Sequence, residues 1–366
     1  MPEFIKGLTL SRKFFEDAVG PILRERFPEL EYAAGLIGSG SEVLGFDDEM
    51  SADHHWGPRA MLFLREQDLE PYRKVINDTL RAHLPSEFLG YPTNFSEPDA
   101  NDNNVQRLDP ITSGPINHRV EIFAIRGYLV SYLNFDIDKQ IEAADWLTFP
   151  EQKLRSITCA GIFEDSIGLK FILDSFAYYP HDVWLYLLAA GWNRIGQEEH
   201  LMGRAGIAGD EIGSALIASR LVRDIMRLCF LMERQYAPYP KWFGTAFRQL
   251  ECAERLTPRL EAVLRSTTWQ EREKHLVPAY ESIATLHNHL KITEPLPARA
   301  GNFFGRPFRV IELVGGFSKA TRAQIKDPEV KRIAGKKLIG GVDQFSDNTD
   351  LLSDSKWRDV LKGVYR

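Results

Sequence analysis

The stretch of this chain with the most chemistry in it is Gly38–Pro58, GSGSEVLGFDDEMSADHHWGP. Residues i and i+2 of a strand share a face. If residues 53–56 begin a strand, Asp53 and His55 project together and His54 points away. The turn Gly38-Ser39-Gly40-Ser41 lies upstream and would bring backbone N–H groups and a hydroxyl close to that pair. Backbone N–H nests favour phosphate oxygens, and a pair of oxygen and nitrogen ligands favours a divalent cation. Glu121, in the middle of RVEIF, would supply a third ligand from a neighbouring strand. Such a set suits phosphoryl or nucleotidyl transfer, in which metal ions bridge a triphosphate and a carboxylate activates the attacking hydroxyl.

Other polar residues invite blander readings. Asp47, Asp48 and Glu49 read as a solvated turn face. Asp53, His54, His55 and His118 would suit a metal hydrolase, but no HExxH or HxxxH pair accompanies them. Ser41 lacks the GxSxG elbow of an acyl-transfer nucleophile. Arg220, Arg223 and Arg227 recur at i, i+3 and i+7 and stack on one helix face. That face is either solvated or turned into a cleft, where it would meet Glu198, Asp224 or triphosphate oxygens. Asp210 reads as a helix cap. Trp184, Trp192 and Trp242 read as core, since aromatics bury large areas in helical bundles.

The elements that would position these residues follow from periodicity. A first helix runs to Pro28, with Ser11 as its N-cap. YAAGL is a strand entering the glycines, RAMLFLRE a second strand, and HRVEIFAI a third. LEPYRKVINDTLRAHL is a helix with Pro71 in its first turn. Residues 85–117 are rich in Pro, Asn, Asp and Ser, the signature of a lid, a binding loop or a disordered segment. After Phe149 long helical patterns dominate: Ile167–Tyr178, Asp182–Met202, Glu211–Tyr236 and Thr257 to about Leu290, the makings of a bundle. From about residue 295 the pattern is a helix with flanking turns. The expected class is α+β: a mixed-sheet domain over 1–150, a helical bundle over 151–294, and an extension over 295–366 packed on the bundle.

The totals set outer limits. A chain of 366 residues suits two or three domains. A net charge of −6 argues against a duplex nucleic-acid binder. Cys159, Cys229 and Cys252 are odd in number and dispersed, which is no disulfide framework. The N-terminus lacks the apolar core of a signal peptide. The longest apolar run, VWLYLLAAGW, falls well short of the roughly 20 residues that span a bilayer. A soluble cytoplasmic protein, with no membrane partner, is expected.

The run GSGSEVLGFDDEMSADHHW resembles the nucleotidyltransferase-superfamily signature: a Gly-Ser turn, a spacer, two acids one residue apart and a later acid on another strand. Gly40 and Ser41 match the turn, Asp53 the first acid and Glu121 the third. His55 stands where the second acid is expected, a departure that sets it apart from two-magnesium catalysis. YYPHDVWLYLLAAGWNRIGQEEHLMGRAG, GSALIASRLVRDIMRLCFLMERQYAPYPKWFGTAF and DPEVKRIAGKKLIGGVDQFSDNTDLL resemble the domain-of-unknown-function 4037 family. RQYAPYPKW is similar to a motif of some aminoglycoside-modifying nucleotidyltransferases. The resemblance implies that the helical half closes the cleft, with Lys241 approaching the nucleotide phosphates and Tyr239 bordering them. It implies nucleotide binding by Gly38, Ser39, Gly40, Ser41, Lys241 and Arg223. The metal, Mg²⁺ or Mn²⁺, would be held by Asp53, His55 and Glu121. A nucleoside monophosphate would pass from an NTP co-substrate to a hydroxyl acceptor, with Asp53 and Glu121 catalytic. The alternative is a nucleotide- or ligand-binding module that kept the fold without the chemistry.

Overall fold

The computed structural model describes residues 3–52, 55–102 and 104–366. It has a small mixed sheet and many helices, an α+β fold. The chain forms two compact units, Met1–Gln140 with Lys153–Ala177, and Ile141–Gln152 with Tyr178–Arg366.

The first unit is built on four strands: β1 (Tyr32–Leu36), β2 (Arg59–Leu64), β5 (Arg119–Ala124) and β6 (Gly161–Asp165), in the order β5-β2-β1-β6. Between β2 and β5 lie β3 (Glu87–Phe88) and β4 (Tyr91–Pro92), a separate two-stranded pair. β2 runs parallel to β5 and antiparallel to β1. The apolar run RAMLFL is buried along its whole length, as a central strand covered on both faces must be. β6 carries the first unit past residue 150. Its GIFED sequence adds an antiparallel edge beside β1, and Gly35 permits the close approach. A Cβ on Gly35 would meet the Gly161 carbonyl oxygen at 2.5 Å.

One face of this sheet is its apolar core. Ala34, Leu62, Leu64, Val120 and Ile122 pack there with Phe14, Val19, Leu23, Ile76 and Leu80. The last five come from α1 (Gly7–Phe14), the π-turn Phe15–Val19, α2 (Gly20–Arg26) and α3 (Glu66–His83). Two boundaries differ from expectation. α1 begins at Gly7, so Ser11 is a buried helical residue and not the cap. The cap comes from far along the chain: the Asp47 carboxylate accepts the Gly7 N–H at 2.6 Å. α3 begins at Glu66, which puts Pro71 inside the helix. The helix α4 (Ile125–Leu133) follows β5 directly and ends at Asn134 in the left-handed conformation.

Residues 85–102 and 104–117 form a flap. Its ladder continues beyond β3 and β4 in the bridges Phe95–Leu108 and Asp99–Val105. Asn94 and Asn117 substitute side-chain amides for missing ladder bonds: the Asn117 N–H donates to Asn94 Oδ1 at 2.7 Å, and Asn117 Nδ2 donates to the Phe95 carbonyl at 2.8 Å. Short polar side chains that bond nearby backbone are what the Asn- and Asp-rich composition supplies.

The second unit contains α5 (Ala143–Thr148). The helix α6 (Glu151–Thr158) passes from it into the first unit, which then adds α7 (Leu169–Asp174). The second unit resumes with α8 (His181–Ile207), α9 (Glu211–Met232), α10 (Pro240–Phe247), α11 (Ala253–Arg265) and α12 (Trp269–His289). Asp210 caps α9, accepting from the Gly213 N–H at 2.7 Å. Trp184 and Trp192 are buried core, as expected, and Trp242 is half-buried. The helical pattern from Thr257 to Leu290 is two helices. Thr268 starts α12 by accepting from the Glu271 N–H. Residues 295–366 hold several short helices and a two-residue strand pair. They share the unit's core: Arg358 is buried, pairs with Asp145 at 2.8 Å and stacks 3.8 Å above Phe149. Among the described residues no helix is long and apolar enough to cross a membrane.

Candidate functional site

Paired residues of parallel strands share a face, so β2 and β5 present Arg59, Met61 and Phe63 beside Arg119, Glu121 and Phe123. This face is opposite the apolar core and is covered differently. Tyr128 of α4 packs against Phe63 and Phe123 at 5.4 Å and stacks on Tyr132 at 5.5 Å. The Gly-Ser turn leaves the end of β1 and lies on the same tyrosines. A Cβ on Gly38 would meet Tyr128 Oη at 2.8 Å, and Gly38 has φ +97, a left-handed conformation that favours glycine. Ser39 and Ser156 hydrogen-bond Tyr132. Burial raises the Tyr128 hydroxyl well above its usual value, with Tyr132 and then Glu121 adding to the effect. Tyr128 therefore packs against both the turn and the strand face that bears Glu121, segments far apart in sequence.

The residues after the turn are tied down. Glu42 folds under Gly40, where a Cβ would meet the Glu42 carboxylate at 2.5 Å, and forms a buried ion pair with Arg59. Asp47 is buried rather than on a solvated turn face. Its carboxylate holds the Gly7 N–H and Trp56 Nε1, and Lys6 pairs with it at 3.6 Å. The sequence signal for this role was the apolar context, Phe46 before it and Trp56 after, which a buried acid must satisfy by hydrogen bonds. Trp56 is 3% exposed, stacks on Phe4 at 5.5 Å and meets Tyr91 of the flap at 5.2 Å. Asp48 is an exposed turn residue that accepts from Ser51.

β2 begins at Arg59, so residues 55 and 56 precede the strand, and the alternation expected from residue 53 does not apply to them. Asp53 and His54 lie outside the described residues. His55 has φ 52, and its backbone N–H donates to the Gln106 carbonyl at 2.9 Å. Arg119 Nη1 donates to His55 Nδ1. A neutral ring with Nδ1 accepting carries its proton on Nε2, which is then a donor and offers no lone pair to a metal. Burial, and then Arg59, hold the Arg119 guanidinium below its usual value, at which it remains cationic. His118 is neutral and structural: burial lowers its pKa and its Nε2 meets the Asn77 carbonyl at 3.3 Å.

Two guanidiniums stand side by side on this face. Arg59 and Arg119 face each other directly across β2 and β5, and Arg59 Nε is a buried donor with no hydrogen-bond partner among the described residues. No group of three or more His, Cys, Asp or Glu side chains that could hold a metal is gathered among the described residues. Sequence reasoning missed Arg59, Arg119, Tyr128 and Lys153. Lys153 Nζ lies 4.8 Å over the Tyr132 ring and donates to the Tyr132 carbonyl at 2.7 Å. A groove of about 500 Å³ runs along β5, lined by Glu121 with Glu70, Arg73 and Lys74 of α3.

Arg223 and Lys241 belong to the second unit. Arg223 pairs with Asp224 at 3.0 Å and with Asp347, and Arg220 grips both Glu198 oxygens through Nε at 2.9 and 3.0 Å. Arg227 lies 3.6 Å from Asp347. Lys241 is exposed, with Nζ 4.9 Å over Trp242, whose Nε1 donates to Tyr239 Oη at 2.7 Å.

No curated protein matches the chain. Residues 146–243 match a family model described as Domain of unknown function (DUF4037). The matched stretch contains α8 and α9 and extends through RQYAPYPKW. The Gly-Ser turn, Glu121 and the GKKLIGG stretch lie outside it. The match supports resemblance to that family over the helical part of the chain.

Proposed function

We propose that the Tyr128 face of the first unit binds a nucleoside triphosphate and transfers its nucleoside monophosphate to a hydroxyl acceptor. The observation that carries this reading is the packing of Tyr128 against both the Gly-Ser turn and the strand face that bears Glu121. Backbone N–H groups of Gly38–Ser41 and the Arg119 guanidinium would take phosphate oxygens. The acceptor would lie in the groove beside Glu121. Its oxygen attacks the α-phosphorus, its proton passes to the Glu121 carboxylate, and the bond to the bridging oxygen breaks to release pyrophosphate. Asp53, the first acid of the expected signature, is the other catalytic carboxylate of this proposal, and a divalent metal would be held by Asp53 and Glu121 without His55, whose Nδ1 accepts from Arg119.

The test is calorimetric binding of each NTP, with and without Mg²⁺ or Mn²⁺, followed by pyrophosphate release in the presence of hydroxylated acceptors. Glu121→Gln should keep binding and stop release. Release unchanged in Glu121→Gln would refute the assignment. A second reading, a nucleotide-binding module without turnover, is favoured by the Arg119 bond to His55 Nδ1. NTP binding without release in the wild type, with turnover appearing in His55→Asp, would select it.

A further inference from the structure

A second concentration of charge lies wholly in the helical unit. A pocket of about 940 Å³ is lined by Arg194, Arg220, Arg223, Arg322, Lys336 and Lys337, and no carboxylate is among its lining residues. These six cations come from separate parts of the chain: α8, α9, the helix Phe317–Ala323, and the GKK turn that follows the helix Pro328–Ala334. On a chain whose net charge is −6, six cations facing one pocket are not an average of the surface.

The acids that accompany them lie behind the wall. Glu198 and Asp224 are buried, 7% and 5% exposed, and hold guanidiniums from beneath. Glu198 takes Arg194 Nη2 at 3.0 Å and Arg220 Nε, while Asp224 takes Arg223 through Nε and Nη2. Asp347 is the third acid, bonded to Arg223. The six cations of the lining outnumber the carboxylates that hold them. Lys336 Nζ donates to a main-chain oxygen of Arg366. Arg322 and Lys337 are exposed and have no ion-pair partner among the described residues. Buried acids that fix arginine planes while leaving a net positive rim are how proteins pre-organise phosphate recognition, because the guanidinium fork is held before the ligand arrives.

We infer that this pocket binds a small molecule bearing two or more phosphoryl groups. The volume is that of a small-ligand site. Leu338, Ile339 and Phe345 close part of its wall, which bounds the charge to one pocket rather than a track along a nucleic-acid backbone. The inference is independent of nucleotidyl transfer in the first unit.

The probe is sodium tripolyphosphate titrated calorimetrically into the full chain at low ionic strength. The wild type should bind it, with affinity falling steeply as salt rises. Arg322→Ala and Lys337→Ala, both exposed side chains, should each weaken binding roughly tenfold, the loss expected for one charge-assisted contact. Thermal melting of each variant checks the fold. Glu121→Gln should leave tripolyphosphate binding unchanged even where it stops pyrophosphate release, so the two readings fail separately. Three results would overturn the inference: no binding by the wild type, full binding by the double variant, or displacement of the probe by single-stranded RNA at equal phosphate concentration.

Discussion

The ion pair between Glu42 and Arg59 makes the most direct structural prediction, because it fastens the residue after the Gly-Ser turn to the first residue of β2. Glu42 is 5% exposed and Arg59 8%. Removing one partner of a buried pair leaves the other charge uncompensated, at a cost of about 3–5 kcal/mol. Glu42→Ala should cost that much here, since Arg59 Nε already lacks a hydrogen-bond partner among the described residues and Arg119 lies directly opposite. Arg59→Met in the same chain removes the stranded charge and should recover about half of the loss. The double variant would then be about 2 kcal/mol more stable than Glu42→Ala alone, where independent sites would make it less stable still. The assay is urea unfolding of wild type, both single variants and the double variant, followed by tryptophan fluorescence. Additive losses, or a Glu42→Ala cost under about 1 kcal/mol, would refute the view that this pair holds the turn in place.

Further outcomes are expected. Asp47→Ala strands the Gly7 N–H and Trp56 Nε1 and should cost about 2–3 kcal/mol; an unchanged urea midpoint would contradict its capping role. Gly38→Ala must force φ +97 on an L-residue and press on Tyr128; NTP affinity should drop in calorimetry by more than the roughly 1–2 kcal/mol the backbone strain costs the fold. Burial raises the Glu312 carboxyl to about 7, against hydrogen bonds from Ser318 that lower it. The folded state thus holds this proton where the unfolded state has lost it, so stability is fully present below about pH 4.5 and falls as pH rises to about 7. Urea midpoints across that window should fall by less in Glu312→Gln than in the wild type, the other acids that burial raises, Glu199, Glu273, Asp224 and Asp343, being common to both. Asp53→Ala should abolish pyrophosphate release with the far-ultraviolet dichroism unchanged.

What the sequence disclosed depended on how local the cause was. The strands β1, β2 and β5 are apolar runs or clean alternations bounded by turn residues, and α8 and α9 carry long apolar periodicity, so these were legible. Asp210 was legible as a cap because its partner is three residues away. Asp47 was not, because its partner, the Gly7 N–H, is 40 residues upstream. β6 was missed because GIFED is only partly buried and is a strand by virtue of β1 beside it. The flap over 85–117 reads as loose polar chain until Asn94 and Asn117 are seen replacing ladder bonds. The break between α11 and α12 was visible in principle as Thr268 with Glu271 three residues on. In the candidate site, the Gly-Ser turn and Glu121 were legible as residue types. Arg59, Arg119 and Tyr128 were not, since only the register of β2 against β5 and the docking of α4 bring them to one face.

The measurement that tests the central claim most directly is backbone hydrogen exchange of the full chain, followed by mass spectrometry, with and without saturating NTP. The account predicts slowed exchange in peptides covering Gly38–Phe46 and in those covering β5. Slowing confined to the helical unit, around the pocket lined by Arg322 and Lys337, with the turn and β5 unchanged, would contradict it.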